Sequence, residues 1–360
     1  MRSALPTLLA TTLATAGCLP DADLKAPFEI EPVVYDDDWT IGDPADQGFD
    51  PEALRLAYAP VFDENRLPTI FSMLVVRHGV LVAEGYARDP TAIDKLENIK
   101  SVTKSVTSVL LGIAIDEGAV DPDLDRTISS YLPGAFAQRL EYAEVTLRQA
   151  LTMQTGSGFD NDSDTNVLRG DRYSDSVDFV LRQPRVGTPG DDFLYNDGSP
   201  HLLGAVIVET TGGSLDAFAE RVLFEPLGIA RRHWDSHVDG LHYGAFGLYL
   251  VPRDLARFGQ MVLDGGVWQG RRIVSQSYLD DATRLHVERP DGWHYGYYFW
   301  LDTRRGIVAA HGHGGQRLLM VPEHDLLVAV TAEPTGSGDK GLSVAEIDQL
   351  IDAVIAAIRE

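Results

Sequence analysis

The stretch Ser101-Val102-Thr103-Lys104 opens a strongly apolar segment, and it decides how the rest of the chain is interpreted. Apolar residues recur after it at helical spacing, and Gly118 is a natural stop; the apolar positions are Val102, Val106, Val109, Leu110, Ile113 and Ala114. The pattern predicts a buried helix. On such a helix Ser101 and Lys104 lie three residues apart and share one face.

This Ser-x-x-Lys pattern supports two interpretations. A serine hydroxyl becomes a nucleophile when a base takes its proton, and a lysine in a dry pocket can be that base because desolvation lowers its pKa. The helix N-terminus would add N–H donors where an oxyanion forms. The pattern alone also fits a capping serine beside a surface lysine, so the choice depends on the motifs that accompany it.

Composition limits the classes of partner. The chain has 360 residues with 30 basic and 54 acidic side chains, a formal net charge of −24. Such an acidic surface repels nucleic acid and anionic membrane surfaces, so we expect neither as a partner. A hydrophobic content of 44% and a charged content of 23% are ordinary for a globular protein.

The first 18 residues predict export. Arg2 precedes a short, mostly apolar run from Ala4 to Ala16, and Thr15-Ala16-Gly17-Cys18 resembles a bacterial lipobox. Residues 1–18 are therefore expected to be a signal peptide of lipoprotein type, with Cys18 as the lipid-bearing residue; a plain secretory signal is the alternative. Cys18 is the only cysteine, which excludes an internal disulfide. We expect an exported protein, periplasmic or at the cell surface, tethered to a bacterial membrane by its lipid.

The order of predicted elements gives the domain organisation. Residues 19–48 are acidic and proline-bearing, as in a tether and lead-in. Strand patterns occur early and again late, and helical patterns with long polar loops lie between them; the predicted strands are Ile70 to Arg77, Val80 to Tyr86, Tyr295 to Leu301, Ile307 to Ala310, Arg317 to Val321 and Leu326 to Thr331. The pattern predicts an α/β (α+β) domain over 49–360. Its antiparallel sheet subdomain, about 49–120 and 293–360, is flanked by terminal helices and interrupted by a mostly helical insertion at about 121–292.

Two further motifs accompany the serine. Tyr195-Asn196-Asp197 precedes a predicted helix capped by Ser199, and a tyrosine beside a buried lysine can carry a proton; a core aromatic is the alternative. His311-Gly312-His313-Gly314-Gly315-Gln316 lies between two strands, where glycines allow the close approach that N–H donation to an oxyanion requires. The competing interpretation of His-x-His is a metal site assisted by His233 and His237. It lacks the ligand number and spacing typical of zinc, so we expect no metal and no cofactor.

Together, the three motifs resemble those of the serine β-lactamase and penicillin-binding-protein superfamily, in particular its class C-related hydrolases, which include esterases, D-aminopeptidases and 6-aminohexanoate-dimer hydrolases. The resemblance covers about Phe49 to Arg359. It implies a β-lactamase-like fold in which Ser101 is the acylated nucleophile, Lys104 its proton partner and Tyr195 the general base. It further implies an oxyanion hole from the N–H groups of Ser101 and Gln316, with Asp197, His313, Gly314 and Gly315 on the substrate side. Whether Lys104 or Tyr195 takes the first proton stays open.

Two departures from the family pattern affect the expected substrate. Asp197 replaces an asparagine, and its carboxylate could pair with Lys104 if that lysine stays charged. His313 replaces a lysine and is mostly neutral near pH 7, so recognition of an anionic β-lactam should be weaker. The expected function is a serine hydrolase that forms an acyl-enzyme on a neutral, small-molecule or peptide-like ester or amide. The alternatives are a β-lactamase or D,D-peptidase, and a non-catalytic protein that binds peptide or cell-wall material.

Overall fold

A computed structural model of the chain describes residues 28–62, 67, 69–87, 90–137, 139–332 and 343–359. The predicted export signal, including Cys18, lies outside these residues. The part of the predicted lead-in that is described lies against the domain. Within it, Trp39 is buried and the Asp37 carboxylate pairs with Arg253 at 3.0 Å.

The regular elements of the described residues are as follows. The helices are α1 Pro51–Phe62, α2 Val102–Asp116, α3 Pro133–Phe136, α4 Leu147–Leu151, α5 Asp164–Arg169, α6 Ser176–Leu181, α7 Gly198–Thr211, α8 Leu215–Ala219, α9 Pro252–Leu263, α10 Gln276–Ala282 and α11 Val344–Ala356. The strands are β1 Thr40–Ile41, β2 Ile70–Arg77, β3 Val80–Tyr86, β4 Glu97–Asn98, β5 Arg232–Trp234, β6 Leu248–Leu250, β7 Val267–Trp268, β8 Arg271–Arg272, β9 His294–Tyr295, β10 Trp300–Asp302, β11 Ile307–Gly312, β12 Gln316–Val321 and β13 Leu326–Ala332.

One eight-stranded sheet joins the early and late parts of the chain. Its order is β1-β3-β2-β13-β12-β11-β10-β9, and all neighbours are antiparallel except β1 and β3. The join is between β2 and β13, where the hydroxyls of Ser72 and Thr331 are 2.7 Å apart. The predicted α/β fold with a large antiparallel sheet is therefore confirmed.

Alternation along the strands gives the sheet two buried faces. In β2, Leu74 and Val76 pack into a core shared with α2, α7 and α9, whereas Met73 and Val75 pack into a second core shared with α1 and α11. The terminal helices therefore cover one face, and α2 with the inserted helices covers the other. This arrangement brings the start of α2 to the sheet.

The bounds of several elements are set by turn and capping residues in the sequence. The hairpin β2–β3 has its predicted bounds, and His78 and Gly79 at its turn have φ of 52° and 71°. Helix α1 begins at Pro51, because the Asp50 carboxylate accepts the Ala53 N–H at 3.1 Å as an N-cap. Helix α2 ends just before Gly118, whose φ is 73°.

The predicted strand from Tyr295 to Leu301 is wrong. The chain reverses within it, so that β9 and β10 pair with each other, and Tyr298 has a φ of 62°. The reason is a close approach: a Cβ on Gly296 would lie 2.2 Å from the carbonyl oxygen of Ala282. This glycine packs against the end of α10, and the aromatic residues after it turn back toward the core.

No single described helix is both long and apolar enough to cross a membrane. The bent pair formed by α7 and the helical segment Leu215–Phe224, at 72° to each other, meets the length and composition test only when the two are taken together.

Candidate active site

Ser101 lies at the N-terminal end of α2 on a backbone that is fixed before and after it. The Ile99 N–H donates to the Leu248 carbonyl at 3.0 Å, and the Lys100 N–H donates to Asn98 Oδ1 at 2.9 Å. Lys100 has a φ of 52°, a left-handed conformation that costs a non-glycine residue energy. Its carbonyl accepts from the Thr103 hydroxyl at 2.6 Å. The surroundings thus hold a strained residue directly before the serine, as is common at functional sites.

The Lys104 ammonium is buried beneath Ser101 with three acceptors. Its Nζ donates to Ser101 Oγ at 2.9 Å, to Asp197 Oδ1 at 2.6 Å and to the Ala245 carbonyl at 3.1 Å. Burial disfavours the charge, but Asp197 and Tyr195 outweigh burial and raise the pKa of Lys104 above its ordinary value. The expectation that desolvation lowers this pKa is therefore wrong. The lysine is an ammonium at neutral pH because a carboxylate faces it.

Both oxygens of the Asp197 carboxylate are occupied. Oδ1 accepts from Lys104, and Oδ2 accepts from the Thr165 hydroxyl at 2.7 Å; the Asp197 N–H donates to Asn161 Oδ1 at 2.8 Å. The carboxylate thus pairs with the lysine in the way that the sequence raised as a possibility.

The helix that follows Asp197 begins differently from the prediction. Helix α7 starts at Gly198, and the Asn196 side chain caps it by accepting the Ser199 N–H at 2.7 Å. The predicted cap at Ser199 is therefore wrong, because the helix already begins at Gly198 and the side chain of Asn196, three residues before Ser199, accepts the Ser199 N–H.

Tyr195 lies between the lysine and an aromatic wall. The Lys104 Nζ is 4.9 Å from the centroid of its ring, and the ring packs on Trp300 at 5.6 Å and on Tyr295 at 6.3 Å. The side chain is partly exposed and lines the same cavity as Ser101. Packing against Trp300 and Tyr295 orients the phenol ring, and the rest of the side chain faces the cavity.

The β11–β12 hairpin approaches the serine through Gly312. A Cβ there would lie 2.7 Å from the Ile99 carbonyl oxygen and 3.1 Å from the Lys100 Cβ, so only glycine permits this approach. Gly314 and Gly315 make the turn with φ of 84° and 107°. His313 at the turn is exposed and lines the cavity. Gln316, which begins β12, is buried, and its side-chain amide donates to the Ala332 carbonyl.

His311 is a neutral member of the same hairpin. Its ring stacks on Trp300 at 5.4 Å and meets Trp293 edge-on at 4.6 Å. Burial, aided by the charge of Arg317, holds the pKa of His311 well below its usual range. No group of three or more His, Cys, Asp or Glu side chains suited to a metal ion occurs among the described residues.

These residues surround a cavity of about 600 Å³. It is lined by Lys100, Ser101, Asn161, Asp162, Thr165, Asn166, Arg169, Tyr195, Asp197, Phe246, Trp300, His311, Gly312, His313 and Arg317. A slightly larger groove of about 670 Å³ is lined in part by Asp116, Glu117 and Arg221, but it contains no residue of the three motifs. We therefore place the candidate active site in the cavity that contains Ser101.

Comparison with known proteins gives the family of the chain. The sequence model of the β-lactamase family matches residues 63–351, most of the chain. The chain belongs to the β-lactamase family. In this family fold, the three sequence motifs come from α2, from the loop before α7 and from the β11–β12 hairpin.

The relatives of this β-lactamase-family chain include several hydrolases. The 6-aminohexanoate-dimer hydrolase of Paenarthrobacter ureafaciens is 27% identical over 284 residues, which are 71% of each chain. A class C β-lactamase from Rhodobacter sphaeroides has a similar structure, with a TM-score of 0.64 at 17% identity over 85% of this chain and 99% of that one. EstCE1, a hydrolase with promiscuous acyltransferase activity, gives a TM-score of 0.68 at 16% identity over 84% of this chain and 98% of that one.

Sequence reasoning missed several residues of this β-lactamase-family site. Asn161 and Thr165, which hold Asp197, lie in a loop rich in Asp, Asn and Ser and in the short helix α5. Arg169 and Lys100 line the cavity beside them. The only signal was the length and polarity of that loop, which marks a functional loop without indicating which of its side chains face the serine.

Proposed function

We propose that the chain is a serine hydrolase that cleaves an ester or amide through an acyl-enzyme on Ser101. The observation that carries the proposal is the contact of the buried Lys104 ammonium with both Ser101 Oγ, at 2.9 Å, and Asp197, at 2.6 Å. A non-catalytic binding protein has no need of a charged lysine buried beneath one cavity serine, since burial of a charge is costly.

The base for the first step is assigned to Tyr195. Lys104 is an ammonium whose three N–H bonds are all donated, so it has no lone pair to accept the serine proton. Because Lys104 donates to Ser101 Oγ, the serine keeps its own hydrogen for another acceptor. Tyr195 lines the same cavity as Ser101, and the centroid of its ring lies 4.9 Å from the Lys104 ammonium.

The proposed reaction is an acyl transfer in two half-reactions. Ser101 Oγ bonds to the carbonyl carbon of the substrate as its proton passes to Tyr195, and the tetrahedral intermediate expels the alcohol or amine, which takes that proton. In the second half-reaction, water gives a proton to Tyr195 as it attacks the resulting ester. Tyr195 passes that proton to Ser101 Oγ as the bond to the acyl carbon breaks, which releases the acid and restores the free serine.

The oxyanion is assigned to the main-chain N–H groups of Ser101 and Gln316. The support is the position of Gly312, where a Cβ would lie 3.1 Å from the Lys100 Cβ and 2.7 Å from the Gln316 Cβ. The start of β12 and the backbone before Ser101 are therefore neighbours. Donors fixed in this way stabilise charge that develops on the substrate oxygen. His313, exposed at the turn between them, is assigned to the substrate side.

Active-site labelling tests the proposal. Residues 19–360 would be treated with a fluorophosphonate probe beside Ser101→Ala and Ser163→Ala, and the intact masses would be compared. Ser163 is an exposed serine just before α5, so it is a matched control. We expect one adduct on the parent and on Ser163→Ala, and none on Ser101→Ala. An unlabelled but folded parent would contradict the proposal and favour the binding protein.

Turnover assays then separate the classes of hydrolase. We expect hydrolysis of 4-nitrophenyl esters or simple anilides, abolished in Ser101→Ala. Hydrolysis of nitrocefin at rates above those for the esters would instead favour a β-lactamase, against the expectation based on His313.

A further inference from the structure

We propose that Lys100 and Arg169 form an anion subsite in the cavity, and that the substrate is an ester or amide that carries a carboxylate. This substrate class rests on the proposed function. Both residues line the cavity that contains Ser101. Lys100 directly precedes the serine, and Arg169 ends α5, the helix whose Thr165 holds Asp197.

Neither cation has a carboxylate partner among the described residues. Arg169 is exposed, and its guanidinium lies over the ring of Phe246 at 4.4 Å. The main chain of Lys100 is fixed, whereas its ammonium contacts no carboxylate in the described part of the chain. Elsewhere in the protein many arginines are held by acidic side chains, as in the pair of Arg221 with Glu117 at 2.7 Å. These two cavity cations are therefore free to bind a ligand.

The charge of the cavity is opposite to that of the protein. The chain carries a net charge of −24, yet three cations, Lys100, Arg169 and Arg317, line the cavity, with Lys104 beneath it. Among the described residues that line the cavity, the carboxylates are Asp162 and Asp197, and Asp197 is paired with Lys104. A positive cavity in a negative surface favours entry of an anionic substrate over a neutral one.

Arg317 is committed to the fold, which leaves the other two for recognition. Its guanidinium donates to the carbonyls of Gly312 and Gln316 at 2.9 and 2.8 Å, and burial lowers its pKa to about 10, so it is still charged at neutral pH. Arg169 and Lys100 keep all their side-chain N–H donors available, and a guanidinium suits a carboxylate in particular. A neutral substrate was expected because His313 lacks a positive charge near pH 7. Lys100 and Arg169 supply positive charge at other positions along the same cavity.

Matched esters test the subsite. The set is 4-nitrophenyl hexanoate, its ω-carboxylate analogue mono-4-nitrophenyl adipate, and 4-hexanoyloxy-3-nitrobenzoate, which carries the carboxylate on the leaving group. The parent should favour one of the two anionic esters over the neutral one by about tenfold in kcat/KM, and added salt should reduce this preference. Arg169→Gln should remove most of the preference, and Arg169→Lys should keep part of it. Arg172→Gln, which removes an exposed charge just outside the cavity lining, should leave activity and preference unchanged.

A binding assay keeps the subsite testable apart from catalysis. On Ser101→Ala, calorimetry should give an anionic anilide, either adipic acid monoanilide or 4-hexanamidobenzoate, a Kd about ten times lower than hexanoic anilide, and Arg169→Gln in that background should remove the difference. A preference near one, or a preference that Arg169→Gln leaves intact, would overturn the subsite. A parent that neither reacts with the probe nor hydrolyses any ester would refute the hydrolase, and the Kd values would then decide the subsite alone.

Discussion

Replacing Asp197 with asparagine should change the charge state of Lys104 and make the stability of the protein depend on pH. The carboxylate lies 2.6 Å from Nζ, and the lysine is 1% exposed, so the pair is shielded from water. In the parent the carboxylate outweighs burial and keeps the lysine protonated. Without it, burial remains and opposes the charge, so the pKa of Lys104 should fall below its ordinary value.

Removing one partner of a buried ion pair typically lowers the free energy of unfolding by about 3–5 kcal/mol. Asparagine still offers an oxygen to Nζ, so we expect the lower end, about 3 kcal/mol at pH 7. The raised pKa of Lys104 in the parent gives stability that is present at neutral pH and lost only as pH rises through the folded-state pKa. In the variant the folded-state pKa is below the unfolded value. The free energy of unfolding of the variant should therefore increase as pH rises toward about 10.4, and the difference in stability between parent and variant should become smaller.

Two measurements check this prediction. Urea unfolding from about pH 6 to about pH 10 gives the free energies, and ¹³Cε chemical shifts follow the lysines directly, because the chain has only five. Asp162→Asn is the matched control, since Asp162 lines the same cavity but forms no pair with Lys104. A difference in stability that stays constant over this range, together with an unshifted Lys104 titration, would refute the reasoning.

Three other substitutions probe contacts around the site and the sheet. Thr165→Val removes the hydroxyl that donates to the buried carboxylate at 2.7 Å, so we expect a loss of about 1.5–3 kcal/mol in urea unfolding and an altered pH profile of kcat/KM; an unchanged pH profile would assign the hydroxyl a structural role only. Gly312→Ala places a methyl group 2.7 Å from a main-chain oxygen, so it should lower the free energy of unfolding by about 1–3 kcal/mol and slow fluorophosphonate labelling. The control is Gly134→Ala in α3, where a Cβ has no atom within 4 Å, and it should be neutral or slightly stabilising. Glu84→Gln leaves the Arg253 guanidinium, 3% exposed, without its 2.5 Å partner, and should cost about 3–5 kcal/mol; a loss below 1 kcal/mol would show that Asp37 alone satisfies this cation.

The sequence predicted the elements whose signals are local. Strand-like runs were enough to give the bounds of β2 and β3, and apolar spacing was enough for α2. The motifs at Ser101, Tyr195 and His313 were recognised as a set, and the structure places all three on one cavity. Periodicity and short motifs carry this information because they depend on neighbours within a few residues.

The remainder depends on contacts between distant parts of the chain. Thr165 and Asn161 reach Asp197 from 32 and 36 residues away, from a polar stretch without periodicity. The reversal at Gly296 depends on the carbonyl of Ala282 and not on the aromatic run around it. The sequence raised both the burial of Lys104 and its pairing with Asp197, but the balance between them depends on a contact between residues 93 positions apart.

The central pairing of β2 with β13 also governs when the site can form during folding. The hydroxyl contact in this pairing joins residues 259 positions apart, so the loop that it closes is long and its closure is slow. The helix with Ser101 follows β2 and β3, whereas the hairpin with His313 directly precedes β13. During synthesis the segment with Ser101 therefore leaves the ribosome long before the hairpin with His313 has been made. We expect catalytic competence to appear in one late step, together with the closure of the sheet.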